Sequence, residues 1–220
     1  MKKFIFSFIA LLSTSLVALS QTLNFGPEVG INLNNFLTNQ SGYSSEFKTG
    51  LKAGINVNLP IGKSSFINTG LFYMQRGQEG RYTADGQSYK EYYAMGYGVL
   101  PFMYAYRLRL NSGRAGSIYL SAGPYIGYGF HGRVKRYEVN AGGNLSELSN
   151  DKTSWGYDID QLKPLDFGLS AGIRYELPFG LYAKAQYSYG LSNISTDENV
   201  DIRHQSLQLS IGLNFWTWVY

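Results

Sequence analysis

Apolar and polar residues alternate along most of this chain with a period of two. The alternation is strict from Leu207 to Phe215, where aliphatic and aromatic residues occupy one set of positions and glutamine, serine, glycine and asparagine the other. Because successive side chains of a β-strand point to opposite faces, this pattern predicts strands with one apolar and one polar face. The same sorting occurs in five further segments: Asn24 to Leu33, Leu51 to Leu59, Ile118 to Phe130, Asp166 to Leu177 and Ala183 to Leu191.

The glycines inside these six segments fall with the polar set. Glycines in loops would fall on both sets of positions at random. The lumen of a narrow barrel, by contrast, needs small residues and strongly coiled strands. The sequence therefore predicts a barrel whose apolar side chains contact lipid and whose glycine and charged side chains point inward. The competing interpretation is a soluble, lipocalin-like barrel with its apolar side chains inside.

Two more segments complete a set of eight strands, although their patterns are less regular. Ser65 to Arg76 carries Leu71 and Tyr73 on one side but Phe72 and Met74 on the other, so the pattern does not assign its faces. Tyr93 to Leu110 changes phase between Gly98 and Pro101, which predicts a β-bulge at that point.

Connection lengths alternate between long and short. Polar stretches at 34–48, 77–92, 131–165 and 192–205 are long, whereas 60–63, 111–116 and 178–180 are short and rich in Pro, Gly and Asn. Outer-membrane barrels pair long external loops with short periplasmic turns. We therefore expect an all-β fold, a single eight-stranded, antiparallel, up-and-down transmembrane barrel.

The first twenty residues resemble an export signal. Lys2 and Lys3 precede an apolar stretch from Phe4 to Leu19, and small residues at Ala18 and Ser20 suit signal peptidase. We expect cleavage to remove residues 1–20 and to leave residues 21–220 as one barrel domain in the outer membrane. An N-terminal membrane anchor is the alternative.

The amino-acid composition narrows the class of protein further. The chain is 16% aromatic, has 26 Gly and is only 15% charged. Removal of Lys2 and Lys3 with the leader would lower the formal net charge of +4 by two units. So small a positive charge does not indicate a nucleic-acid-binding protein. Because the chain has no Cys, a disulfide framework is excluded, and stability must come from the backbone ladder and packing.

Several segments resemble a known family. These are Tyr97 to Arg107 (YGVLPFMYAYR), Tyr119 to Gly127 (YLSAGPYIG) and Asp166 to Glu176 (DFGLSAGIRYE), followed by Tyr187 to Ile194 and Leu207 to Phe215. Together they resemble the PorT-like, "porin family" outer-membrane barrels of Bacteroidetes, over essentially the whole mature chain. The resemblance implies the fold and the location. It connects to function through one branch that is associated with protein secretion across the outer membrane.

The inward-facing charges are the candidate functional residues. They mix both signs and comprise Glu28, Lys52, Arg107, Arg109, Arg174, Glu176 and Lys184. An eight-stranded lumen is narrow enough for side chains to fill, and unpaired charges there would be costly. We therefore predict an interior ion-pair network with Glu28, Arg174 and Lys184 at comparable depths. A narrow path for ions along these charges is the alternative.

Candidate catalytic and metal sites are weak. His204 and Ser206 resemble the His-x-Ser arrangement of lipid A deacylases, but no acidic residue is identifiable to orient the imidazole. Asp151, Asp158 and Asp160 could hold Ca²⁺ but lack the dense spacing of a calcium loop. We expect no catalytic, cofactor or metal site.

These observations favour a non-enzymatic barrel with a structural, adhesive or secretion-associated role in the envelope. Recognition would come from the external loops, above all 131–165, which carries Tyr137, Trp155 and Tyr157. The expected partners are outer-membrane lipid and other envelope or secretion proteins. The alternatives are a narrow channel for ions or small solutes and, more remotely, a lipid esterase.

Overall fold

The computed structural model describes residues 23–39, 44–84, 86–110, 115–140, 143–158, 161–197 and 199–216. The regular elements of these residues are all β-strands. In the described part of the chain, no helix has the length and apolar character needed to cross a membrane. The predicted leader, residues 1–20, lies outside the described residues.

Eleven strands follow one another in the described part of the chain. Their bounds are β1 Asn24–Thr38, β2 Ser44–Pro60, β3 Ser65–Arg76, β4 Gln78–Ala84, β5 Gln87–Arg109, β6 Ser117–Val139, β7 Leu145–Lys152, β8 Leu165–Glu176, β9 Leu181–Gly190, β10 Ile202–Leu213 and β11 Phe215–Trp216.

Eight of these strands close into an antiparallel barrel in the order β1, β2, β3, β5, β6, β8, β9, β10. Closure is made by β1, which pairs with β2 on one edge and with β10 on the other; Glu28 lies opposite Gly212 and Leu33 opposite Leu207. The short β11 prolongs β10 and pairs Trp216 with Asn24. The predicted eight-stranded barrel is confirmed.

The two faces of the strands sort as the alternation predicted. Apolar side chains of the six regular segments point outward, as shown by Ile55 and Leu169, which are 56% and 53% exposed. Their polar neighbours, such as Lys184 and Gln208, are buried inside. A continuous apolar belt of this kind is unfavourable in water and is the surface that membrane barrels present to lipid. The lipocalin-like alternative is wrong because the apolar faces do not share an interior.

The structure assigns the faces of β3, which the sequence left open. Phe72 and Met74 point into the lumen and are almost fully buried, whereas Leu71 points outward. Inside, Phe72 and Met74 pack with Met95 and Tyr97 in a small apolar cluster. The interior of this barrel is therefore not purely polar.

The predicted phase change in β5 is wrong. Odd-numbered residues of β5 point inward both before and after the segment from Gly98 to Pro101, as Met95 and Met103 show. The irregularity belongs to the neighbouring strand: Gly96 pairs with His131 but Tyr97 pairs with Gly129, so Phe130 is the additional residue of a bulge in β6. Phe130 and His131 consequently both lie on the outer surface.

Three of the predicted loops are largely strands. In the 34–48 segment, β1 continues to Thr38 and β2 begins at Ser44. The 77–92 segment forms β4 and the first part of β5, which pair as a hairpin, and β4 also pairs with β2. In the 131–165 segment, β6 continues to Val139 and β7 folds back on it. These additions, β4, the first ten residues of β5, the end of β6, and β7, form a projecting sheet above the apolar belt.

The barrel has two unlike ends, which we call the turn end and the loop end. The turn end holds the short connections 61–64 and 177–180, the end of β5 at Arg109, the start of β6 at Ser117 and the pair of Asn24 with Trp216. The 177–180 turn uses Gly180 at a φ of 92°, a left-handed conformation that favours glycine. The loop end carries the projecting sheet and the segments 153–158 and 161–164.

A charge placed on the apolar belt should destabilise the barrel only if lipid covers that belt. Ile55→Arg should reduce the free energy of unfolding by about 2–4 kcal/mol, because arginine near the bilayer midplane loses its hydration. Urea unfolding of the protein refolded into vesicles, followed by tryptophan fluorescence, measures this loss.

The matched control is Leu148→Arg in β7. Leu148 is 54% exposed and Ile55 is 56% exposed, but Leu148 lies in the projecting sheet. Its substitution should change stability by less than about 0.5 kcal/mol. Equal effects of the two substitutions would contradict a lipid-covered belt.

Candidate functional site

Glu28 is the centre of the interior near the turn end. Its side chain is fully buried, and its carboxylate accepts hydrogen bonds from Lys52 Nζ at 2.6 Å, Tyr182 Oη at 2.8 Å and Ser210 Oγ at 2.9 Å. Lys184 Nζ lies 3.9 Å from the same carboxylate. Two lysines and one glutamate thus share a site that excludes water, and the two hydroxyl donors help to satisfy the carboxylate.

Arg174 joins this group from β8, where it lies directly opposite Lys184 in the β8–β9 ladder. Its guanidinium stacks on the rings of Tyr119 and Tyr182, at 4.0 and 5.0 Å from the ring centroids, and lies 3.5 Å from the carboxylate of Glu176. Tyr182 therefore contacts both Arg174 and Glu28. We call the group of Glu28, Lys52, Arg174, Glu176, Tyr182 and Lys184 the turn-end cluster.

The aromatic ring of Tyr182 fits the barrel because glycine lies beneath it. A Cβ atom built on Gly212 would lie 2.4 Å from Tyr182 Cζ, closer than any side chain permits. The inward glycine thus makes room for the phenol that links Glu28 to the arginine. This contact gives a specific reason for one of the glycines that fall on the inner face.

The turn-end cluster includes five of the seven predicted site residues and leaves out two. Arg107 lies at the rim, where it donates a hydrogen bond to the Lys63 carbonyl at 2.8 Å and covers the ring of Phe66. Arg109 is exposed at the end of β5. Parity placed both inside: Arg107 does point inward at the rim, where it also interacts with Tyr119, whereas Arg109 does not reach the interior network.

A second ionic group occupies the lumen near the loop end. Arg76 and Asp166 form a buried salt bridge, and Asp166 also accepts hydrogen bonds from Tyr125 Oη at 3.0 Å and Ser192 Oγ at 2.7 Å. The Arg76 guanidinium lies between the rings of Tyr97 and Tyr125. We call these residues the loop-end cluster.

The loop-end cluster was missed as a site by sequence reasoning. The alternation from Asp166 to Leu177 had already placed Asp166 on the inward face, so the sequence did contain a signal for this buried charge. Its partner Arg76 is the last residue of β3. The mixed pattern of β3 did not predict which of its side chains point inward. The pair spans 90 positions of sequence, and only the closed barrel brings β3 and β8 to face each other.

Hydrogen bonds cross the whole width of the lumen. Each of them joins strands that are four places apart in the eight-stranded ring. They run from Arg174 to Asn58 at 3.1 Å, from Lys184 to Asn68 at 3.4 Å, and between His204 and Tyr97 at 3.0 Å. The first two lie near the turn end and the third near the loop end, so side chains bridge the lumen at two levels.

The segments 153–158 and 161–164 fold over the loop end of the barrel. Trp155 packs edge-on against Tyr97 with 5.5 Å between ring centroids, and Leu162 bridges to Trp155 and Ser195. The indole also covers Gly129, where an added Cβ would lie 2.3 Å from the ring. Trp155 and Leu162, from the part of the predicted long loop that follows β7, therefore add a third group of side chains to the two clusters in the lumen.

The candidate catalytic pair does not form a hydrolytic site. His204 and Ser206 both point into the lumen and are buried, where substrate lipid has no access. His204 contacts Tyr97, and the hydroxyl of Ser206 accepts a hydrogen bond from Gln208 at 3.2 Å. The imidazole therefore engages a phenol and not the serine.

The candidate calcium ligands are dispersed in the described part of the chain. Asp151 is exposed on β7, Asp158 is exposed beside Gln161, and Asp160 lies outside the described residues. The described residues contain no group of three His, Cys, Asp or Glu side chains with metal-binding geometry.

The projecting sheet carries its own ion pair. Arg136 Nε donates a hydrogen bond to Glu91 at 2.7 Å, and this bond raises the pKa of Arg136 above its usual value. Lys135 and Glu147 lie 4.0 Å apart on the same sheet. Pairs as exposed as Lys135 with Glu147 add little to stability and leave the sheet hydrated.

Removing Glu28 should destabilise the barrel strongly. Glu28→Ala leaves Lys52 and Lys184 buried without a counter-charge, which typically costs about 3–5 kcal/mol. The measurement is the free energy of unfolding in vesicles. Adding Lys184→Gln to Glu28→Ala should restore part of the loss, because it removes one of the two uncompensated cations.

Glu147→Ala is the matched control for Glu28→Ala. It also deletes one carboxylate next to a lysine, but both side chains are more than one-third exposed, and the unfolding transition should hardly move. An unchanged transition in Glu28→Ala would show that the turn-end cluster contributes nothing to folding.

A comparison with solved structures finds distant neighbours of this chain. The attachment invasion locus protein Ail of Yersinia pestis is 14% identical and matches over 89% of this chain and 100% of its own, with a TM-score of 0.41. OprG of Pseudomonas aeruginosa is 8% identical over 89% of this chain and 96% of its own, with a TM-score of 0.45. The neisserial surface protein NspA is 14% identical over 87% and 97%, with a TM-score of 0.36.

The search of curated proteins finds no match. The family comparison is decisive, since residues 19–196 match a family described as the outer membrane protein beta-barrel domain. With a closed barrel, an outward apolar belt and a polar interior already established, the chain belongs to the outer membrane beta-barrel domain family.

Proposed function

We propose that this protein is a non-enzymatic, non-conducting barrel that presents a recognition surface at the outside of the outer membrane. The observation that carries the proposal is the set of hydrogen bonds across the lumen, from Arg174 to Asn58, Lys184 to Asn68 and His204 to Tyr97. A solute would have to break buried, charge-assisted bonds at two levels to pass, so the lumen serves stability.

The projecting sheet is the part of the molecule available for recognition. β7 pairs with β6 along one edge, and nearly all of its residues are exposed on both faces. An edge strand of this kind offers unpaired N–H and C=O groups to an extended segment of another protein. A structural, adhesive or secretion-associated role would use this surface to contact other envelope components.

We further propose that the protein is one of the PorT-like barrels of Bacteroidetes and reaches the outer membrane through a Sec-type signal peptide. The support is the strand motifs in Tyr97 to Arg107 and Asp166 to Glu176, and the leader pattern of residues 1–20. The secretion-associated branch of that family makes an envelope export assembly the preferred partner class. Amino-terminal sequencing of the exported protein should begin at Gln21.

Conductance distinguishes this proposal from transport. Purified, refolded protein in planar bilayers should give no steady single-channel steps, because buried hydrogen bonds cross the lumen at two levels. Insertion is verified in the same preparation by heat-modifiable migration on gels, and a general diffusion porin serves as the positive control. Reproducible unitary steps from inserted protein would favour the channel for ions or small solutes.

A further inference from the structure

The wall of the barrel has a notch at the loop end, between β7 and β8. The ladder of β6 with β8 ends at Tyr128, and the ladder of β6 with β7 begins at Arg133. Between them, the Phe130 bulge and the chain at 153–155 enclose a pocket of about 550 Å³. Its lining residues include Phe130, His131, Arg133, Lys152, Thr153 and Trp155.

Two cations face each other at this notch. Arg133 lies directly opposite Lys152 in the β6–β7 ladder, so the two side chains share one face. Like charges in directly opposite positions destabilise a sheet unless an anion lies between them. In the part of the chain that the structure describes, neither residue forms a salt bridge, although Lys135 and Arg136 on the same strand do.

The notch lies at the height of lipid headgroups. Tyr128 and Phe130 are the last exposed Tyr and Phe residues of β6 before the projecting sheet, and they mark the edge of the apolar belt. Arg133 is three residues further, which corresponds to about 8 Å along the membrane normal for a strand tilted by about 40°. The headgroup layer is roughly 5–8 Å thick on each side of the hydrocarbon core, and the flexible side chain of Arg133 reaches back into it.

The two cations of the notch are also its exposed hydrogen-bond donors. Arg133 and Lys152 are both exposed, and their guanidinium and ammonium groups donate hydrogen bonds but accept none. A phosphate group offers several acceptor oxygens together with the negative charge that the cation pair lacks.

We propose that this notch binds the phosphorylated headgroup of an anionic lipid in the leaflet at the loop end. Arg133 and Lys152 bind the phosphate, and the acyl chains run down over Phe130 and Tyr128 along the apolar belt. The inference rests on the proposed placement of the barrel in a membrane. It adds a specific lipid site to a surface that otherwise contacts lipid without selection.

Lipid titration tests the site. Protein refolded in zwitterionic detergent is titrated with phosphatidic acid and, separately, with phosphatidylcholine of the same acyl chains, and binding is measured by thermal stabilisation. Phosphatidic acid should stabilise the protein and phosphatidylcholine should not. Arg133→Gln combined with Lys152→Gln should weaken phosphatidic acid binding by at least about tenfold, since each surface cation contributes to the attraction.

The control is Arg81→Gln combined with Lys90→Gln. These two cations also lie directly opposite each other, in the β4–β5 ladder, and their loss changes the net charge equally. Arg81 already pairs with Glu46 at 3.2 Å, and the site is remote from the notch. This variant should bind phosphatidic acid like the unchanged protein. Equal weakening in both double variants would show an effect of bulk charge and overturn the proposal.

Two further outcomes separate the possible sources of phosphate and the two levels of inference. Inorganic phosphate that binds and competes as well as the lipid would overturn the lipid assignment. No binding of phosphatidic acid to protein that inserts normally into vesicles would overturn the notch while leaving the proposed function intact. Failure of the unchanged protein to insert into vesicles would instead overturn the membrane placement on which both depend.

Discussion

The pairing of β1 with β10 is the interaction on which the rest of the structure depends. In hydrocarbon an unpaired backbone N–H or C=O costs several kcal/mol, so a membrane-spanning sheet must have no free edge. Register from Glu28 opposite Gly212 to Leu33 opposite Leu207 removes both edges within the apolar belt. Closure at eight strands then fixes a lumen so narrow that side chains from all sides meet within it.

That narrowness explains why the interior combines ions, phenols and glycines. Glu28 can stay buried only because Lys52, Lys184 and the hydroxyl of Tyr182 surround it. Asp166 is satisfied in the same manner at the other end by Arg76, Tyr125 and Ser192. The two clusters fill the lumen from opposite ends, and the apolar group around Phe72 and Met74 packs beside them. The proposed recognition role accordingly uses the outer surfaces of the barrel.

Strand alternation predicted the facing wherever one side was uniformly apolar, as in Leu207 to Phe215 and Asp166 to Leu177. It failed where the inner face is itself apolar: Phe72 and Met74 point inward next to the outward Leu71, so β3 has no clean period. The bulge was placed in the wrong strand because the inward residues of β5 before Leu100, such as Met95 and Tyr97, are themselves apolar and imitate a change of phase. The projecting strands carry polar residues on both faces and therefore gave no periodic signal, and the pairing of Arg76 with Asp166 depends on closure, which no local pattern contains.

The bonds that span the lumen have a mechanical consequence. A hollow tube of hydrogen-bonded strands flattens readily into an ellipse, because bending the sheet breaks no ladder. Contacts such as Arg174 to Asn58 and His204 to Tyr97 join strands on opposite sides of the barrel and fix the distance between them. Flattening the tube would have to stretch at least one of them, so the cross-section should remain round when lateral pressure in the surrounding bilayer changes.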